Sequence, residues 1–168
     1  QFMSDQAPLN RFATACQWAA DLQYVGVQVP SWDARCIDLE KAASSKAYCD
    51  DLKGVAADAG VQISELSTHL QGQLVAVHPA YASMFQAFAP ADVDTPQAMS
   101  EYGSRQVRMC LKASQHLGLA AMPTFSGALM WHTMYPWPQR PAGLVEEGFR
   151  ELARRWRPLL DYAEDCGV

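Results

Sequence analysis

Residues 52–70, LKGVAADAGVQISELSTHL, carry the pattern on which the fold turns. An alanine-rich helical stretch closes at Gly60, and Val61, Ile63 and Leu66 follow as a short apolar run. Glycine takes the left-handed conformation that ends a helix. A brief apolar run behind it is what a buried parallel strand requires. The same punctuation occurs at 16–30, CQWAADLQYVGVQVP, which passes Gly26 within the apolar run 25–29. It occurs again at 110–127, CLKASQHLGLAAMPTFSG, where Gly118 leads into 119–125. YAEDCGV, at 162–168, is a fourth copy without its strand. Gln1-Phe2 reads as the tail of an earlier strand. The expectation is a single incomplete domain over 1–168, cut from a longer protein before its next strand.

Working outward, helices are predicted at about 10–22, 38–59, 95–117 and 142–166, and strands at about 25–29, 62–68 and 119–125. Asn10 is the expected N-cap of the first helix, and Pro158 is expected to kink the last. Two long insertions, 70–94 and 127–141 (GALMWHTMYPWPQRP), each follow a strand. Strands alternating with helices define an α/β fold. Right-handed crossovers leave an open doubly wound sheet or a (β/α)8 barrel. The open sheet calls for a phosphate-binding fingerprint, and neither GxGxxG nor GxxxxGK[ST] occurs. The predicted fold is therefore a partial (β/α)8 TIM barrel, roughly its first half, with parallel strands and outer helices.

Composition narrows the function. Of 168 residues 49% are hydrophobic and 18% charged, which argues against extended disorder. The net charge of −5 offers no footprint for nucleic acid. Arg154, Arg155 and Arg157 cluster on the last helix and read as a solvated face. The five cysteines form no CxxC pair, a pattern of reduced thiols that suits a cytoplasmic protein. No apolar run approaches the roughly 20 residues that cross a bilayer, so no membrane partner is expected.

Chemistry is sought at the C-terminal ends of the strands, where both architectures place it. The first end offers Trp32 and Asp33, the second His69 and Gln71, and the third Phe125, Ser126, Trp131 and His132. Trp32 and Trp131 have two readings: packing between strand end and loop, or an amphipathic wall for a sugar ring. His69 ends a strand with polar neighbours Thr68 and Gln71, a position that favours a site. Asp33 has a second reading as a cap or turn residue. His78 and His116 read as structural, the latter beside a helix C-terminus. Catalytic signatures such as GxSxG and HExxH are missing from the chain.

The stretch from Gly127 to Val168, with GVQVPSWD and STHLQGQLVAVHP, resembles the sugar phosphate isomerase/epimerase group of the xylose isomerase-like TIM barrels. That resemblance implies a metal-dependent isomerase or epimerase acting on a sugar or keto-sugar through an enediolate. A divalent ion, Mn²⁺ or Mg²⁺, would act as Lewis acid beside the carbonyl, with its ligands mostly beyond Val168. His69, Trp32, Phe125, Trp131 and Gln71 are then expected to bind substrate, with homo-oligomerisation a further possibility. Relatives include endonuclease IV-type repair enzymes, which the acidic charge disfavours, and lyases acting on inososes or oxidised glycosides. A half-barrel that binds sugar without turnover is the non-enzymatic alternative.

Overall fold

The computed structural model describes residues 3–130, 133 and 140–168. Two parallel strands, β1 (Gly26–Pro30) and β2 (Gln62–Ser67), lie close to the predicted positions. They pair from Gly26 opposite Gln62 to Pro30 opposite Ser67, with a bulge between Val27 and Gln28 that leaves Ser64 as the extra residue. One face of the pair is apolar. Val29, Ile63 and Leu66 are buried there, with Val27 packed alongside, against Phe12, Cys16 and Ala19 of helix α1 (Phe12–Asp21).

The predicted 38–59 helix is two helices, α2 (Leu39–Ser44) and α3 (Lys46–Asp58). Ser45 breaks it: its extended backbone (φ −134°, ψ 110°) lets its hydroxyl accept from the Tyr48 N–H and cap α3. The insertion after β2 is not an open loop. It holds α4 (His69–Leu74), a 3₁₀ turn at Pro79–Tyr81, α5 (Ala82–Phe85) and a second 3₁₀ turn at Gln86–Phe88. Leu74, Val77, Phe85 and Met99 form its own small core. Helix α6 (Pro96–Leu117) follows, capped by the Thr95 hydroxyl on the Ala98 N–H. Helix α7 (Leu144–Cys166) continues through Pro158.

Three helix ends share one construction. Gly60, Gly118 and Gly167 are left-handed (φ 85°, 74° and 70°). The next residue's N–H reaches back to close the turn: Val61 to Ala56 O, Leu119 to Ser114 O, Val168 to Ala163 O. The end of α1 departs from the expectation. There the left-handed residue is Gln23 (φ 67°), and Gly26 is already in β1.

The third predicted strand, 119–125, does not form a ladder among the described residues. The run is tied to the end of β2 by one backbone bond, Thr68 N–H to Pro123 O at 3.1 Å. Pro123 supplies the reason: it has no N–H to return, so the ladder stops where it starts. Further on, Val77 and Ala128 form an isolated parallel bridge. Gln1-Phe2, read as an earlier strand end, lies outside the described residues. No described helix is long and apolar enough to cross a membrane.

Candidate functional site

The loop after β1 and the start of α4 converge on one aromatic group. His69 stacks on Phe125, with ring centroids 4.5 Å apart and planes 30° apart. Trp32 also neighbours His69, with ring centroids 6.1 Å apart and planes tilted by 52°. All three border a cavity of about 560 Å³ that follows the free edge of β1, with Phe12 and Cys16 on its helical side. His69 is the first residue of α4 and not the last of a strand as predicted. The chain turns into a helix one residue earlier than the apolar pattern implies.

Each ring is held by its backbone. The Ser31 N–H donates to Ser67 O at 3.0 Å, extending the β1–β2 pairing into the loop that carries Trp32. Asp33 then closes that loop: its carboxylate accepts from the Arg35 N–H (3.0 Å), Nε (2.9 Å) and Nη2 (2.7 Å). The Arg35 guanidinium holds the Asp33 carboxyl below the ordinary carboxylate range. Asp33 is thus a turn residue, the second of the two roles its sequence allows. Phe125 is placed by Gly72. A Cβ at position 72 would run into Thr124 Oγ1 and the Phe125 carbonyl, so only glycine lets this run lie on α4.

Behind the wall lie buried polar groups. The spacing Thr68-x-x-Gln71 is that of a capping box, yet the Thr68 N–H is taken by Pro123. The Thr68 hydroxyl and Gln71 Oε1 are left buried with no hydrogen-bond partner among the described residues. Gln71 therefore sits beneath the site and does not border the cavity. Nearby on α6, burial pushes the Cys110 thiol up to about 12. Trp131 and His132 lie outside the described residues. Ser126 does not border the cavity; its carbonyl accepts from Trp156 Nε1 at 2.8 Å. His78 and His116 are structural as expected: one caps the Ala80 N–H, the other contacts Ala42 O at 2.9 Å.

Two polar residues on the sheet face opposite the helices escaped the sequence reading. Gln28 and Glu65 are cross-strand partners, joined Nε2 to Oε2 at 2.7 Å. The signal was there as the polar residue of the alternation Val27-Gln28-Val29. Glu65 was hidden because the bulge at Ser64 shifts the period by one.

Among the described residues, no three His, Cys, Asp or Glu side chains converge as a metal cradle. What these elements make is one side of a concave site at the C-terminal ends of parallel strands, the hallmark of an α/β barrel. The xylose isomerase-like TIM barrel family matches residues 16–168, and the chain belongs to that family. No curated protein matches it.

Proposed function

We propose that the protein is a sugar isomerase or epimerase acting beside a carbonyl through an enediolate, with residues 1–168 supplying the substrate wall. The supporting observation is the Trp32–His69–Phe125 group, gathered beside the C-terminal ends of β1 and β2, in a family that takes its name from a sugar isomerase. Aromatic faces offer an apolar surface to the C–H side of a sugar, while the Trp32 N–H and the imidazole offer hydrogen bonds to its hydroxyls. A divalent ion such as Mn²⁺ or Mg²⁺ would polarise the carbonyl. The described residues do not fit it: Asp33 is engaged by Arg35, His69 packs against two rings, and no three His, Cys, Asp or Glu side chains converge. The role left to these side chains is to bind the sugar, orient it and exclude water. A cytoplasmic setting accords with five free, buried cysteines.

The test is turnover of a panel of ketoses and aldoses by the full chain, with and without a chelator. Trp32→Ala and His69→Ala should each lower kcat/KM by about tenfold or more, the worth of one good aromatic or polar contact. Their melting temperatures should stay near that of the parent. Chelator-sensitive turnover is expected. Sugar binding without turnover would instead identify a binding module, and variants that only lose stability would reduce the ring group to packing.

A further inference from the structure

The sheet has a second face that neither the aromatic wall nor the helices use. Gly26 and Ser64 share it, since a Cβ on Gly26 would lie 3.6 Å from the Ser64 Cβ. Gln28 and Glu65 share it through their 2.7 Å hydrogen bond. It is polar, while the opposite face buries Val29, Ile63 and Leu66 among the helices. In a (β/α)8 barrel, the face turned away from the helices is the interior. Gln28 also borders the cavity that holds Trp32, His69 and Phe125.

The pair lies two residues below the strand ends Pro30 and Ser67, a depth of roughly 7 Å at the rise of a strand. That depth is of the order of the length of a small sugar, roughly two strand residues. The sugar's hydroxyls would meet specific chemistry there. Glu65 uses Oε2 to accept from Gln28, which leaves Oε1 as a strong acceptor; Gln28 keeps its own carbonyl oxygen. Among the described residues no Lys or Arg forms an ion pair with Glu65. A carboxylate with no cation beside it attracts hydroxyl donors and repels a phosphate, which brings only acceptors and negative charge.

We propose that Gln28 and Glu65 are a specificity pair inside the barrel, binding the distal hydroxyls of a neutral, unphosphorylated sugar and rejecting its terminal phosphate. This rests on the sugar-site reading above and adds to it the charge of the substrate and the residues that select it. Glu65 is the discriminating member. Gln28 holds its carboxylate in register across the bulge.

The experiment is calorimetric binding to the full chain, using free ketoses and aldoses, their terminal phosphates, and inorganic phosphate. The parent protein should bind a free sugar at least about tenfold more tightly than its phosphate, as like charges at a binding surface dictate. Glu65→Gln keeps the shape and an acceptor for Gln28 but removes the charge. It should shrink that preference by about fivefold or more, mostly by improving phosphate-ester binding. Gln28→Met should weaken the free sugar without improving the ester. A parent protein that binds the ester as well as the free sugar overturns the proposal and leaves the sugar site standing. So does a Glu65→Gln variant, folded by its melting curve, whose preference is unchanged. Failure of every sugar and ester to bind removes both readings.

Discussion

Gly72 shows how much of this site rests on one missing methyl group. Thr124 and Phe125 press directly on its Cα side, and Gly103 gives α4 similar room on the α6 side, where a Cβ would meet Gln71 O at 2.6 Å. Gly72→Ala forces the 123–127 run to lift, which also pulls Phe125 off His69. We expect a loss of about 1–3 kcal/mol, the usual cost of overpacking. Urea unfolding measures it, and near-ultraviolet circular dichroism reports the disturbed rings. An unchanged midpoint would mean that the run is not packed as described.

Helix α7 illustrates how charge acts along an element. Glu151 accepts from Arg154 (2.6 and 2.7 Å) and from Arg155 Nε (2.7 Å). Those hydrogen bonds lower its pKa from 4.5 to about 2. A depressed carboxyl stabilises the fold fully above its ordinary value and loses that contribution as pH falls from about 4.5 through 2. The group is largely solvent-screened, so the gain is held below about 1 kcal/mol. Glu151→Gln should therefore flatten the acid limb of a stability–pH profile between pH 5 and 2 only slightly, on the order of a few tenths of a kcal/mol. Its effect should shrink further in high salt. Arg154 and Arg157 lie on a solvated helix face, Arg154 and Arg155 are paired with Glu151, and Arg155 also reaches inward to Val75 O at 3.2 Å.

Across the whole molecule, two properties follow from where apolar surface is and is not covered. All five cysteines are free and buried. Burial raises Cys16 to about 11 and Cys36 to about 12, against an ordinary 9.0. A raised thiol favours the fold below its ordinary value, and that contribution disappears as pH climbs from about 9 toward 11–12. The native chain should resist thiol reagents at pH 8, then react fully in denaturant, and unfolding should become easier above pH 9. Rapid labelling of the native chain would show that the thiols are accessible. The second property is an open strand edge: β1 pairs only with β2 among the described residues, Val25 beside it is 78% exposed, and the cavity follows that edge. Unpaired edges accept strands from other chains. The protein should self-associate as concentration rises, read by light scattering after size-exclusion chromatography. A monomer at every concentration would contradict this.

The local pattern was sufficient for everything that depends on near neighbours. Glycine at 60 and 118 ends a helix because it alone turns left-handed without strain, and the apolar runs at 25–29 and 62–68 become strands because only burial on the helical face satisfies them. Those two facts carried the α/β barrel reading. They also brought Trp32 and His69 to one end of the sheet, since residues after parallel strands emerge on the same side; Phe125 follows no strand and joins them through the close approach of its run to Gly72. Other features depended on contacts made far along the chain. Pro123 halts a third ladder only because Thr68 is its neighbour in space, and that same bond takes the N–H that a capping box would have offered to Gln71, whose Oε1 is left without a partner among the described residues. The bulge at Ser64 turns Glu65 toward Gln28 across 37 residues of chain. Periodicity read one segment at a time holds no term for pairing partners, so a shift imposed by the opposite strand is invisible until the strands meet.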